Sequence, residues 1–308
     1  MIRFGLSAAG FSSHQQLLER ARWAEQAGFS TFSVSDHLNA ASPFITLQAV
    51  ADATSTLRLG TLVLNNDFRH PAVLAQEAAT LDRLSGGRLE LGLGAGWALP
   101  EYRRAGISYD LPGVRIDRLA ETVAALGLLF AGETVTTPGP HVRLANHVLA
   151  PSPTQSPVPL LIGGNGTRLL TLAAHHAHIV SFTGFSPDLE GANVRTHFSR
   201  AGLADRVGLV RRQSQLANRP VSPELNILLQ SLLITEDREY LARTMAMRQN
   251  QSMMEMATCP FLAFGTVEEI CGQLLRLHDE HHITYVTVFN QHAEDAAEVI
   301  AALADLAV

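Results

Sequence analysis

Ser35-Asp36-His37 sets a carboxylate beside an imidazole at the end of a short apolar run. Such a pair can bind a polar ring edge or pass a proton; the plainer alternative is a helix-capping Asp36 beside a surface histidine. A second run ends in Leu62-Val63-Leu64-Asn65-Asn66, followed by Phe68-Arg69-His70-Pro71. Arg69 and His70 suit an anion, or simply form an ion pair and a loop histidine. In Gly92-Leu93-Gly94-Ala95-Gly96-Trp97 the third glycine falls one residue short of GxGxxG. No acidic residue closes a strand roughly 20 positions on, which excludes a Rossmann dinucleotide site. Alternate glycines in a strand instead mark close approach by another backbone or a flat ligand. Finally, Gly163-Gly164-Asn165-Gly166-Thr167-Arg168 runs into a helical pattern. Small residues at a helix N-terminus leave amides free for a phosphate, and Arg168 would add charge; the alternative is a glycine-rich turn with a threonine cap.

Other clusters carry less. His175, His176 and His178 do not share a helix face, and the set His278, His281 and His282 lacks the HExxH arrangement, so no metal site is expected. There is no GxSxG elbow, and Cys259 and Cys271 have neither a CxxC partner nor an adjacent base. Met245, Met247, Met253, Met254 and Met256 read as core filling or as a flexible apolar lid. All 23 basic residues are arginine. The lack of lysine excludes Schiff-base aldolases, pyridoxal-phosphate enzymes and Walker loops. A net charge of −6 without a basic block excludes the footprint of a nucleic-acid binder. No run reaches the ~18 apolar residues of a membrane span, and no signal peptide is evident, so the default compartment is the cytoplasm.

The elements that position these loops alternate. Strand patterns at Arg3–Ala8, Thr31–Ser35, Arg58–Leu64, Arg88–Leu93, Val158–Ile162, Ile179–Phe182, Leu225–Ile234 and Thr284–Phe289 are separated by amphipathic helical ones. The helices are expected at His14–Gly28, Thr46–Thr54, Ala72–Leu84, Gly113–Ala131, Thr167–His176, Ala201–Leu216, Val267–His281 and Ala293–Ala307. Continuous apolar strands interleaved with helices indicate a parallel sheet. Eight βα units in 308 residues predict an α/β fold, a single (β/α)8 TIM barrel with insertions, as one domain over residues 1–308. A doubly wound open sheet is the competitor. Thr134–Leu149 reads as a hairpin-like insertion around Pro138-Gly139-Pro140, and Pro187–Pro223 as an irregular zone.

The run Leu57–Val63, then Arg69-His70-Pro71-Ala72, then Leu81–Trp97 resembles the bacterial luciferase-like monooxygenase superfamily, most closely the branch that uses the deazaflavin coenzyme F420. Ser35-Asp36-His37, Pro159–Gly164 and Gly265–Ile270 support the likeness, which thins between about residues 185 and 260. The resemblance implies a homodimer with the cofactor in the barrel mouth and a small-molecule substrate. It implies a non-proline cis peptide at Leu62–Val63 beneath the ring. Asp36 matches the acid at the ring system and His37 the imidazole near the hydride centre. Asn65, Ala95 and Gly96 match ring-lining or ribityl-lining positions, and Gly163, Gly164, Asn165, Gly166 and Arg168 the phosphate loop.

One departure narrows the chemistry. The deazaflavin-dependent sugar-phosphate dehydrogenases carry a glutamate base just after the strand-four glycines; here Trp97 stands there. The lysines that hold a sugar phosphate are missing too. His178 stands where relatives often have Asp. The implied function is hydride transfer between coenzyme F420 and a small organic, apolar or aromatic substrate, with Trp97, Phe11 and Phe44 as pocket walls. An FMN-dependent monooxygenase, with FMN in place of F420, and a cofactor-binding protein without turnover are the alternatives.

Overall fold

The computed structural model describes residues 1–8, 10–187, 194–249 and 251–306. Eight parallel strands pair in chain order: β1 (Arg3–Ser7), β2 (Thr31–Val34), β3 (Arg58–Thr61), β4 (Leu89–Gly94), β5 (Leu160–Gly163), β6 (Ile179–Thr183), β7 (Glu224–Leu228) and β8 (Ile283–Phe289). β8 returns to β1 with Arg3 opposite Tyr285, and β3 meets β4 with Leu59 opposite Leu89, so the sheet closes into a barrel. Outside it lie α1 (His14–Gln26), α2 (Pro43–Ala53), α3 (Pro71–Leu84), α4 (Pro112–Phe130), α5 (Thr167–His176), α6 (Arg200–Leu216), α7 (Val267–His281) and α8 (Ala293–Leu306). This is the (β/α)8 barrel that the alternation predicts. The strands are nearly continuously buried because one face fills the barrel and the other meets the helices.

Local signals set the helix starts. Ser13 caps α1 by accepting the Gln16 N–H at 3.1 Å, and Pro43, Pro71 and Pro112 open α2, α3 and α4, where a missing N–H costs nothing. Thr266 and Glu269 form a reciprocal capping box at α7.

Three expectations are corrected. The run Leu225–Ile234 is two strands, because the Leu229 N–H bonds the Thr287 carbonyl inside the barrel while that of Gln230 bonds Phe261 outside it. Ser231–Ile234 then pairs in parallel with Leu262–Gly265. β3 stops at Thr61 rather than Leu64; the non-proline cis peptide expected at Leu62–Val63 is present there, and the short strand Leu64–Asn65 resumes beside β4. The methionine cluster is divided: Met256 is buried, whereas Met247, Met253 and Met254 are exposed on the helices Arg238–Gln249 and Met253–Ala257.

The insertion at Thr134–Leu149 is the expected hairpin, Val135–Pro138 against Arg143–His147. A second hairpin, Phe185–Pro187 against Val194–Thr196, lies after β6. The expected helix end at Ala307 lies outside the described residues.

At the N-terminal end of the barrel, Arg3 bridges Glu90 at 2.9 Å and Glu224 at 2.7 Å, with its guanidinium over the Tyr285 ring. Above this floor the buried Asn226 is satisfied by Ser181, Thr287 and the Tyr285 carbonyl. These polar groups are tolerated in the interior because each of them has a partner.

Candidate active site

The four loops singled out in the sequence all leave C-terminal strand ends, the face on which barrels build active sites. His37, after β2, has Nδ1 2.7 Å from Glu101 Oε1, and the Leu38 N–H donates to Glu101 Oε2 at 3.2 Å. The Trp97 ring, after β4, meets the His37 ring edge-on at 5.9 Å between centroids. Trp97 itself is 49% exposed, so the histidine sits between a carboxylate and an accessible indole. Glu101 lies on a short helix, Leu99–Ala105, and neither the helix nor the glutamate is evident from the spacing of residues alone.

Asp36 is buried and fully engaged. Arg69 donates to it at 2.5 and 3.3 Å, and the Asn65 N–H at 3.1 Å. Arg69 also reaches Glu77, whose pKa is raised by burial, an effect that Arg69 partly offsets. Asn65 in turn accepts from the Tyr102 hydroxyl at 2.9 Å and from the Asp67 N–H. Burial, with Asp67 adding repulsion, holds the Tyr102 hydroxyl well above its ordinary pKa, so it stays a donor. Asp36 thus locks the chain after the cis peptide, with its oxygens committed to protein donors.

The strand-four glycines make room for that segment. A Cβ on Gly92 would lie 1.8 Å from the Thr61 carbonyl oxygen, and one on Gly94 2.6 Å from Val63 Cγ2. Val63 also lies against Gly163, and Leu62 and Val63 together pack on Leu161, Ile179 and Tyr285 inside the barrel. Gly96 has φ +76, and a Cβ there would strike Tyr102. Close approach by another backbone accounts for Gly92, whereas Gly94 and Gly96 make room for the side chains of Val63 and Tyr102. Ala95 and Gly96 remain half-buried at the strand end.

The Gly163–Arg168 loop opens α5. Gly164, at φ +153, donates its N–H to the Ser181 carbonyl at 3.0 Å. Leu170 closes the first helical turn onto Gly166, so the amides of Thr167, Arg168 and Leu169 have no turn to close. Beyond Gly166 a Cβ would meet nothing within 4 Å. Arg168 is exposed and turned to α4, where it binds Asp117 and the Gly113 carbonyl. The charge behind the loop is instead Arg206 of α6, which donates to Asn165 Oδ1 at 2.7 Å and to the carbonyls of Gly202 and His197. Burial lowers its pKa to about 10, which still leaves it charged near neutrality.

Arg115 plays the matching part behind β4, donating to the Gly96 carbonyl at 2.6 Å with its guanidinium over Tyr109. Arg115 and Arg206 are 2% and 8% exposed, and neither forms a salt bridge among the described residues. Both escape a sequence reading, since an arginine in a helix looks like surface charge.

The remaining residues stand apart. Phe11 stacks on Phe32 at 6.2 Å, and Phe44 is buried beneath Arg69, lining a groove of ≈680 Å³ among α1, α2 and α3. The structure therefore joins Trp97 to His37 but does not bring the three aromatic residues into one wall. His178 accepts the Leu160 N–H on Nδ1 at 3.1 Å, a structural task that accounts for an imidazole at the start of β5. No group of three or more metal-ligating side chains occurs among the described residues.

Known proteins share this architecture. The tetrahydromethanopterin reductase of Methanopyrus kandleri, a coenzyme F420 dependent enzyme, superposes with a TM-score of 0.77 at 18% identity over 97% of each chain. An F420-dependent secondary alcohol dehydrogenase gives 0.75 at 20% identity over 94% of this chain and 93% of that one. In sequence, an F420-dependent glucose-6-phosphate dehydrogenase of Microbacterium testaceum is 34% identical over 61% of this chain and 59% of its own. A 5,10-methylenetetrahydromethanopterin reductase of Methanolobus tindarius is 32% identical over 55% and 50%. The chain thus spans between half and three fifths of these curated relatives. The luciferase-like monooxygenase family profile matches residues 3–305, and the chain belongs to that family.

Proposed function

We propose that this protein is an oxidoreductase that moves hydride between coenzyme F420 and a small organic substrate at the mouth of the barrel. The observation that carries the reading is the pair of buried guanidinium groups, Arg115 and Arg206, behind the loops that end β4 and β5. A buried cation without a carboxylate is costly, and an anionic ligand in the mouth offsets that cost. The open amides at the start of α5 and the empty space beside Gly166 fit a phosphate. The names of the relatives in sequence support the deazaflavin over other phosphate-bearing cofactors.

In this reading the loop Gly163, Gly164, Asn165, Gly166 and Thr167 holds the phosphate through its open amides, with Gly164, whose N–H is given to Ser181, turning the chain and Arg206 lending charge from behind while Arg168 stays on Asp117. Leu62, Val63, Asn65, Ala95 and Gly96 line the ring, and Asp36 supports them through Asn65. When bound, the cofactor supplies a hydride-accepting or hydride-donating carbon. His37 holds or moves the proton that accompanies transfer, using Nε2, since Nδ1 faces Glu101. Trp97 offers the substrate an apolar face beside that histidine. With Trp97 in place of a carboxylate and no lysine in the chain, the substrate is not a sugar phosphate. Ile45 and Leu84, 76% and 65% exposed on α2 and α3, supply apolar surface for a homodimer.

Equilibrium titration of the purified protein with coenzyme F420 and, separately, with FMN tests the assignment. Saturable F420 binding with weaker FMN binding supports it; the reverse order supports an FMN-dependent monooxygenase. His37→Ala is expected to lower turnover with a surrogate acceptor by roughly 100-fold while cofactor affinity stays within about tenfold. F420 binding without turnover by the unaltered protein would leave a cofactor carrier.

A further inference from the structure

We propose that Glu101 is a positioning residue that keeps the neutral His37 imidazole protonated on Nδ1 and leaves Nε2 as its proton acceptor. The inference deepens the proton-transfer role given to His37 above, although its structural part can be tested without it.

A neutral imidazole carries one N–H, and the nitrogen that carries it follows from the partner of the other. An ionised carboxylate only accepts. With Glu101 Oε1 2.7 Å from Nδ1, the shared proton belongs on Nδ1. Glu101 is not free to turn away, because its second oxygen accepts the Leu38 N–H at 3.2 Å. One carboxylate therefore grips both the ring and the backbone of the residue after it. Its side chain is 13% exposed against 30% for that of His37, so the bond is shielded more on the glutamate side. Trp97, four residues before Glu101, closes on the ring edge-on at 5.9 Å. The pair restricts rotation of the imidazole from two sides. Among the described residues Nε2 has no protein partner.

The test is nitrogen-15 NMR of histidine-labelled protein, with the His37 signals assigned by their loss in His37→Gln. At a pH where His37 is neutral, the unaltered protein should show Nδ1 protonated and Nε2 bare. Glu101→Ala should shift the signal to the Nε2-protonated form or to a mixture, with circular dichroism unchanged. Glu101→Gln, whose amide oxygen still accepts, should retain the Nδ1–H form. An Nε2–H tautomer in the unaltered protein, or an unchanged tautomer in Glu101→Ala, overturns the inference.

Kinetics separate it from the function proposed above. Glu101→Ala should lower kcat by roughly tenfold or more, with KM changed little and most of the loss recovered in Glu101→Gln. A tautomer that switches while kcat stays constant would uphold the positioning role and remove His37 from the chemistry.

Discussion

Arg206 and Asn165, 41 positions apart, meet through a 2.7 Å hydrogen bond that ties a buried guanidinium to the loop opening α5. The other end of the Asn165 side chain donates to the Phe185 carbonyl, so the amide is clamped between α6 and the hairpin after β6. The loop thus borrows its charge from a helix far along the chain, while its own Arg168 is spent on Asp117.

The two arginines should therefore differ. Arg206→Gln is expected to weaken binding of coenzyme F420, or of inorganic phosphate as a simpler probe, by roughly tenfold or more, the worth of a charge-assisted hydrogen bond. Arg168→Ala should change it by less than about threefold, because an exposed, already paired charge contributes little. Isothermal titration of both variants decides the matter; a larger loss for Arg168→Ala would reverse the assignment.

Glycine substitutions separate packing from binding. Gly94→Ala drives a methyl into Val63 and should lower stability by about 1–3 kcal/mol or more, the usual cost of overpacking. Gly166→Ala sits at φ −72 in open space and should cost about 1 kcal/mol or less, as a poor N-cap. A bulky residue such as Gly166→Leu is then the clean probe of the anion site, expected to weaken cofactor binding far more than folding. Gly164 is unsuitable, since a Cβ there meets Leu169 at 2.2 Å and the residue has φ +153. Urea unfolding beside cofactor titration measures both effects.

The barrel floor makes a prediction about stability alone. Glu90 holds Arg3 at 2.9 Å and Arg58 at 2.7 Å with its own side chain 6% exposed. Glu90→Gln removes the charge they share and should lower stability by about 2–3 kcal/mol, less than a fully buried pair because both arginines keep some solvent. Turnover per folded molecule should be unchanged, as the floor lies at the opposite end of the barrel from the mouth.

His178 links stability to pH. Its pKa lies below the usual 6.5 because burial disfavours the charged ring and Arg219 repels it, and its Nδ1 must stay bare to accept the Leu160 N–H. The unfolded chain takes up a proton near the usual value while the folded chain does not, so folding is favoured by rising pH in that window. Stability should fall as pH drops through about 6.5 and keep falling until the lower folded pKa is reached. His176, His197, His281 and His292 are shifted in the same direction, so His178→Gln should flatten the dependence only in part. Urea midpoints measured at about pH 7.5 and about pH 5.5 give the slope for each protein; an identical slope in the variant would exclude His178 as a contributor.

Much of this architecture was legible in the linear order of residues, because the signals that make it are local. Apolar runs of four to seven residues and the helical spacing between them each act over a single turn or strand. They located all eight strands, α5 and α7 with their observed bounds, and the loops on which His37, Trp97 and Gly163–Arg168 lie. The run Leu225–Ile234 marks the limit, since apolar character says that a segment is buried but not against which partner.

The partners of the site were settled only by closure of the barrel. Glu101 reaches His37 across 64 positions, Arg206 reaches Asn165 across 41, and Arg115 reaches Gly96 across 19. Neither residue of such a pair carries a local mark of the other. A helical glutamate or arginine reads as a solvated charge until the strand ends are drawn together, water is excluded, and the charge must find a partner in the fold or in a ligand.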